Sequence, residues 1–135
     1  MSRIPTLAIL GFLALAAAAQ AEPLRGKLVA AEGKPPAIET ETHKLVTVAG
    51  DPESLEVLGD ARLAGDDIEL LGKFDTPEHF TVGPFYTSKS ILVHKDGKRY
   101  TVSYWCPVCS IRTYTPGKCR CCREETHLDL EELKP

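Results

Sequence analysis

Short runs of alternating apolar and polar residues, separated by turn-forming residues, follow the apolar N-terminus. Residues 26–31 (GKLVAA) predict a first strand, and Glu-Gly-Lys-Pro-Pro directly after it predicts a turn. Residues 43–48 (HKLVTV) predict the next strand. Its candidates for the buried side are Leu45, Val46 and Val48. The chain therefore starts as a series of short strands.

A third run, IELLGKF, alternates in the same way and contains a glycine. The apolar positions that alternate through it are Ile68, Leu70 and Phe74. Gly72 interrupts this run as a glycine does at a bulge or at the bend of a barrel strand. Phe80 and Val82 predict a short partner strand.

Between these strands the sequence carries the start signals of a helix. Asp51 is placed to accept hydrogen bonds from the first turn, and Pro52 suits the first helical position. Gly65 predicts the end, while Gly59 weakens the pattern. The predicted buried stripe consists of Leu55, Leu58, Ala61 and Arg62. We expect one short helix.

The clearest local signal is a β-hairpin in SILVHKDGKRYTVSYW. Asp96-Gly97 favours a two-residue turn with positive φ at both positions. This turn predicts the pairs Lys95 with Lys98, His94 with Arg99, Val93 with Tyr100 and Ile91 with Val102. Ile91, Val93, Tyr100, Val102 and Tyr104 then share the predicted buried face. Leu92, His94, Arg99, Thr101, Ser103 and Trp105 share the other face.

Five or six short strands with one helix among them predict a mainly β fold, as a small barrel or a curled antiparallel sheet. The order of elements and the glycine-interrupted strand resemble an oligonucleotide/oligosaccharide-binding (OB) barrel over residues 24–105. This resemblance implies a fold and does not itself imply nucleic-acid binding.

The first residues have the pattern of a secretory signal peptide. Arg3 precedes the uncharged apolar run 7–19, and Ala19-Gln20-Ala21 supplies the small residues of a cleavage site. The run is shorter than a transmembrane helix of ~20 residues. We therefore expect cleavage near Ala21, a mature chain without a membrane span, and a periplasmic or secreted location.

Charge is segregated along the expected mature chain. Residues 22–88 carry 6 basic and 13 acidic side chains, residues 89–123 carry 8 and 1, and residues 124–135 carry 1 and 5. The basic segment also holds Trp105, three of the four tyrosines and all five cysteines. We expect it to contact an unknown protein or an anionic envelope component, unless the acidic flanks neutralise it. Export argues against nucleic acid as the partner.

The cysteines form two C-x-x-C pairs separated by nine residues. The pairs are Cys106 with Cys109 and Cys119 with Cys122, and each turn directs two sulfurs toward one ion. These residues resemble a zinc ribbon with rubredoxin-like knuckles, although the spacer is shorter than the usual ~15–20 residues. The resemblance implies that these four cysteines are structural zinc ligands. Iron in the same four-sulfur site is an alternative.

Other chemistries of the cysteines stay open or are excluded. Disulfides are normal outside the cytoplasm, but five cysteines leave one thiol unpaired. Thiol–disulfide exchange is the second hypothesis, although neither C-x-x-C opens a predicted helix. Haem attachment is excluded because Ser110 and Arg123 follow the pairs where histidine is required. Cys121 is left over, and His127 is either a solvated residue, a replacement ligand or a partner of Cys121 on a second ion.

The sequence therefore predicts an exported protein with a structural four-cysteine zinc site, acting as a binding or interaction module of the cell envelope. A periplasmic thiol–disulfide or metal-handling protein is the alternative. No catalytic triad order, phosphate-binding loop or spaced carboxylate pair is present, so no catalytic residue is predicted. The predicted organisation is a signal peptide at 1–21, an OB-like domain at 22–105, a zinc ribbon at 106–123 and an acidic tail at 124–135.

Overall fold

The computed structural model describes residues 22–84 and 89–134, so the expected signal peptide and Tyr86 lie outside the described residues. The described residues are mainly β, with nine strands and one α-helix. The elements are β1 (Glu22–Val29), β2 (Ala37–Glu39), β3 (Leu45–Ala49), α1 (Pro52–Leu58), β4 (Asp67–Thr76), β5 (His79–Val82), β6 (Ile91–Lys95), β7 (Lys98–Cys106), β8 (Ile111–Thr113) and β9 (His127–Glu132).

The first five strands close into a barrel. Strand β1 pairs antiparallel with β2 and with β4, and β2 pairs antiparallel with β3. The circle is completed by a parallel pairing of β3 with β5 and an antiparallel pairing of β5 with β4. Helix α1 lies in the connection from β3 to β4. The predicted fold class, mainly β with a small barrel and one short helix, is confirmed, and the sheet closes into a barrel of five strands.

Every strand of this barrel contributes buried apolar side chains to one core. The buried residues are Leu24, Leu28, Ile38, Val46, Val48, Val57, Leu58, Leu63, Ile68, Leu70, Phe80, Val82, Val93 and Tyr104. Full burial of such a side chain contributes ~1.5–3 kcal/mol, so this set is the main source of stability. The inward prediction for Leu45 is wrong, because strand alternation directs Val46 and Val48 inward and leaves Leu45 55% exposed.

The predicted helix start is confirmed, but its predicted end is wrong. Asp51 accepts a hydrogen bond of 3.0 Å from the Ser54 amide, and Pro52 is the first helical residue. The helix ends at Leu58, and Gly59 forms its C-terminal cap. A separate 3-10 turn, Ala61–Leu63, follows.

This early end changes which residues reach the core. Asp60 adopts an extended conformation between the helix and the 3-10 turn, which breaks the helical periodicity. Leu63 is fully buried, whereas Ala61 and Arg62 are exposed, contrary to the predicted stripe. The glycine that the pattern treated as a weakness is thus the real stop signal.

Gly72 is a point of close approach between strands. A Cβ atom there would overlap the Thr81 carbonyl of β5 and press on the Phe80 ring, so only glycine fits. The register irregularity of β4 lies between Phe74 and Thr76, not at Gly72. Phe74 is 38% exposed and packs edge to face on Phe80, with ring centroids 4.9 Å apart.

The predicted hairpin is β6 and β7. The pairs Lys95–Lys98, His94–Arg99 and Val93–Tyr100 are all observed. Asp96 and Gly97 have φ of 52° and 75°, as the turn type requires. Val93 is completely buried, and the other members of the predicted inner face are buried or packed against the core. On the opposite face Leu92 and Ser103 are buried as well.

Strand β7 connects the barrel to the cysteines. The hairpin joins the barrel through β6, which pairs with residues 67–70 of β4. Beyond the hairpin turn, β7 pairs with β8 at residues 104–106 and with β9 at residues 100–105. The strand runs through Cys106, where the sequence predicted a domain boundary. The predicted acidic tail contains β9.

Candidate metal centre

The first C-x-x-C pair is held in the turn between two paired strands. Cys106 is the last residue of β7 and lies opposite Ile111, the first residue of β8. Residues 107–110 therefore form the tip of a tight hairpin, which includes Cys109. The Cys109 amide donates to the Cys106 sulfur across 3.5 Å, so the turn is held by one of its own thiols.

The second pair lies in a similar turn. Lys118 and Glu125 form an antiparallel bridge, and the Cys119 amide donates to the Glu124 carbonyl across 2.8 Å. The turn between them carries Cys122. The Cys121 amide donates to the Cys119 sulfur across 3.4 Å, so this turn is also held by one of its own thiols. We call residues 106–126 the cysteine module.

The two turns bring four sulfurs together. The Sγ atoms of Cys106, Cys109, Cys119 and Cys122 all lie within 4.8 Å of one another, and those of Cys106 and Cys122 are 3.5 Å apart. Four sulfurs at ~2.3 Å from one ion would be separated by about 3.8 Å, as the edges of a tetrahedron. The four side chains therefore have the spacing needed to hold a metal ion.

The local electrostatics favour the thiolate form at one of these ligands. Backbone amides, first that of Cys122 and then that of Cys121, donate to the Cys119 sulfur and lower its pKa to about 7. Metals bind the thiolate, so this lowered pKa assists coordination near neutral pH. Cys106 and Cys119 are also buried, which shields their sulfurs from solvent.

Each pair is followed by a residue in the left-handed backbone region. Ser110 has φ of 54° and Arg123 has φ of 62°. Glycine adopts this conformation at no steric cost, whereas other residues are strained there. Sequence reasoning missed these two positions, although the equal placement after each C-x-x-C was a signal that could have identified them.

The fifth cysteine lies beside the group of four. Cys121 is exposed and is not one of the mutually close sulfurs. A hydrogen bond with the Cys121 thiol is the main cause that raises the pKa of Cys109, followed by burial. All five cysteines are within the described residues, and each is a free thiol.

His127 is not brought to the cysteines as a further ligand of that group. It lies in β9 opposite Trp105, and its side chain is exposed. Within residues 22–84 and 89–134, the four cysteines are the one group of three or more side chains arranged to hold a metal. The hypotheses of a replacement ligand and of a second ion gain no geometric support.

The acidic C-terminal strand neutralises part of the basic segment. Arg112 donates to Asp129 at 2.7 Å, and its guanidinium carbon lies 5.3 Å from the centroid of the Trp105 ring. Lys98 approaches Glu132 at 3.9 Å. The other six cations of residues 89–123 have no ion pair within the described parts of the chain. Most of the positive charge is therefore still available.

No helix among the described residues is both long and apolar enough to cross a membrane. Comparison with protein-family models, curated proteins and solved structures gives no match to the chain. Function is therefore inferred from the geometry of the cysteine module and its surroundings.

Proposed function

We propose that the four cysteines hold a structural zinc ion, in an exported protein that acts as a non-catalytic binding module of the cell envelope. The observation that carries this proposal is the mutual approach of four sulfurs within 4.8 Å. Four protein ligands complete a tetrahedral zinc site and leave no position for a substrate or a water molecule. A closed site of this kind favours a structural role.

The cysteine module needs such support because its own core is small. Its buried residues are few: Cys106, Cys119 and Thr126. A short segment of this kind buries too little apolar surface to offset the entropy of ordering its loops. A metal bound by both turns would link residues 13 positions apart, from Cys106 to Cys119, and so contribute to folding directly.

Zinc is favoured over iron because the proposed role requires no electron transfer. Zinc has no redox chemistry and accepts four thiolates in tetrahedral geometry. When bound, the ion supplies only this cross-link. The chain itself positions the ligands, because the amides of Cys109 and Cys121 donate hydrogen bonds to sulfur and hold the ligands in place.

The location and the binding role are supported by sequence and charge. The signal-like segment 1–21 supports export to the periplasm or the exterior. The basic segment 89–123 supports a protein or an anionic envelope component as the partner, since most of its cations lack an ion pair within the described residues. Basic clusters of this type attract anionic partners over long range.

Metal analysis and native mass spectrometry of the mature protein test the metal site. We expect one zinc per chain and one readily titrated thiol, Cys121. Visible absorption bands of thiolate-bound iron would show that the site holds iron instead of zinc. A mass lower by four hydrogens and no metal would indicate two disulfides and would reject the metal site. A start of the mature chain at Glu22 would support export.

A second candidate is a periplasmic thiol–disulfide or metal-handling activity that uses the C-x-x-C pairs. The observation in its favour is the exposed thiol of Cys121, which directly precedes the clustered Cys122 in the sequence. Thiol–disulfide exchange requires an accessible thiolate as the nucleophile. Reduction of a disulfide substrate by the wild-type protein, with loss of this activity in Cys121→Ser, would favour the second candidate.

A further inference from the structure

A surface cleft of about 400 Å³ lies where the cysteine module meets helix α1. From the module, Tyr114, Lys118, Arg120 and two threonines line it, and from the helix, Glu53. The cleft thus combines an aromatic ring, two cations and one carboxylate. None of these side chains belongs to the four sulfur ligands.

The two cations of the cleft are available to a ligand. Lys118 and Arg120 are exposed, and neither has an ion pair with any described residue. In contrast, Arg112 of the same module is paired with Asp129 at 2.7 Å. The acidic C-terminal strand therefore neutralises Arg112 and leaves the positive charge of the cleft uncompensated by a direct contact.

Tyr114 gives the same cleft an apolar surface. Its side chain is 57% exposed, which makes it one of the few large hydrophobic residues that the core leaves outside. Exposed tyrosines and arginines are enriched at protein–protein interfaces, where a rigid ring adds contact area at low entropic cost. An aromatic ring beside two unpaired cations fits a ligand with both a carboxylate and an apolar group.

We propose that this cleft binds an acidic segment of a partner polypeptide. A carboxylate of the segment lies near Lys118 and Arg120, and a neighbouring apolar side chain packs on Tyr114. This inference rests on the proposed role as a binding module and names the place and the partner class. A peptide is favoured over a lipid surface because the cleft is concave, so a single extended segment can enter it whereas a flat layer of headgroups cannot.

Compensation of the cluster charge is the competing role for the two cations. Four thiolates and Zn²⁺ carry a net charge of about −2, which nearby cations stabilise. If Lys118 and Arg120 served only this purpose, their replacement would weaken metal binding and leave peptide binding unaffected. The two roles therefore predict different measurements on the same variants.

The experiment measures fluorescence anisotropy of a labelled peptide of glutamates with interspersed leucines, added to the full mature protein. We expect Lys118→Gln and Arg120→Gln each to weaken binding by about three- to fivefold. Glu53→Gln should strengthen binding, because it removes a like charge. Tyr114→Ala should weaken binding by about tenfold without any change in charge. Lys95→Gln, which makes the same charge change outside the cleft, is the matched control.

Equal weakening by Lys95→Gln and Lys118→Gln would overturn the proposal in favour of unspecific attraction. Binding to vesicles of anionic lipid without binding to the peptide would also overturn it. Metal content is measured in every variant, and metal loss in Lys118→Gln or Arg120→Gln would assign the cations to the cluster. If the wild-type protein lacks zinc but the cleft variants behave as expected, the proposal of a structural zinc ion is rejected and the proposed peptide site is retained.

Discussion

The hydroxyl of Tyr104 donates a hydrogen bond of 2.9 Å to Oδ2 of Asp60, which joins β7 to the connection between α1 and β4. Arg62 strengthens this junction, since its guanidinium binds Asp60 at 2.8 Å and lies 5.3 Å from the centroid of the Tyr104 ring. Arg62 also donates to the Thr126 carbonyl at 3.0 Å. The barrel therefore holds the cysteine module on both sides, just before Cys106 and at Thr126.

Replacement of Tyr104 by phenylalanine should weaken this junction. The ring still fills its buried site, but the Asp60 carboxylate loses a donor, and a hydrogen bond to a charged group contributes ~1.5–3 kcal/mol. We expect a lower free energy of unfolding by about 2 kcal/mol in urea titrations. Tyr100→Phe, on the same face of β7 but without this bond, should change the stability by less than about 0.5 kcal/mol. An equal loss of stability in both variants would contradict the stabilising role of the hydrogen bond between Tyr104 and Asp60.

The same junction predicts a dependence of stability on pH. Burial acts to raise the pKa of Asp60, but hydrogen bonds from Arg62 and Tyr104 outweigh it and lower the pKa. A folded-state pKa below the unfolded value of ~3.9 means that the stabilisation is complete above that pH. It is lost as the pH falls through the folded pKa.

The measurement is the difference in unfolding free energy between the wild type and Asp60→Asn, followed from neutral to acidic pH. We expect the wild type to be more stable near pH 7 and the difference to shrink below about pH 4. Asp67→Asn serves as a comparison, because Asp67 pairs with Arg25 at an exposed position. A difference that is constant over the whole range would show that the Asp60 charge has no part in stability.

Loss of one sulfur ligand should unfold the cysteine module but not the barrel. In Cys109→Ala the metal loses a ligand, and the module loses its cross-link. We expect exchange of the Cys119 and Arg123 amides, which donate hydrogen bonds within the module, to accelerate by about a hundredfold or more, while protection in residues 24–82 is mostly retained. The barrel remains because its five strands close within Glu22–Val82. Cys121→Ala is the control, and it should keep the metal. Normal protection of the Cys119 and Arg123 amides in Cys109→Ala would contradict the cross-link.

The left-handed backbone conformation of the residue after the first C-x-x-C pair predicts how variants at this position rank in their resistance to a chelator. Ser110 has φ of 54°, a conformation that costs an L-residue ~1–2 kcal/mol and is worst for β-branched side chains. Ser110→Gly should therefore maintain or increase resistance to a chelator, and Ser110→Val should reduce it. Thr115→Gly, at a position without positive φ, should destabilise the module through added chain entropy. Metal release timed against a fixed chelator concentration gives the order, and faster release from Ser110→Gly than from Ser110→Val would refute it.

Much of the local structure could be predicted because short-range chemistry decides it. The Asp96-Gly97 turn sets the register of β6 and β7, since few residue pairs accept positive φ at both positions. Asp51 and Pro52 define the helix start in the same local way. The spacing within each C-x-x-C pair brings its two sulfurs to one side of a turn.

The failures of prediction arise where a local pattern is compatible with two arrangements. The apolar run around Leu45 left the inward face of β3 undecided, and pairing with β2 and β5 settled it in favour of Val46 and Val48. The sequence pattern predicted that the buried helical stripe continues to Arg62, but the helix ends before Gly59. In β3, strands distant in the sequence selected the buried side chains, whereas at the helix a local glycine set the end.

The sequence by itself thus determined the mainly β class, the helix start, the hairpin register and the pairing of cysteines into two turns, because each depends on residues a few positions apart. Only the tertiary structure decided that β3 and β5 run parallel to close the barrel, and it brings the four cysteine sulfurs that the sequence assigned to one site within 4.8 Å of one another. It also decided that Tyr104 reaches Asp60, 44 positions away. Contacts over such separations depend on packing of the whole chain, which no local pattern encodes.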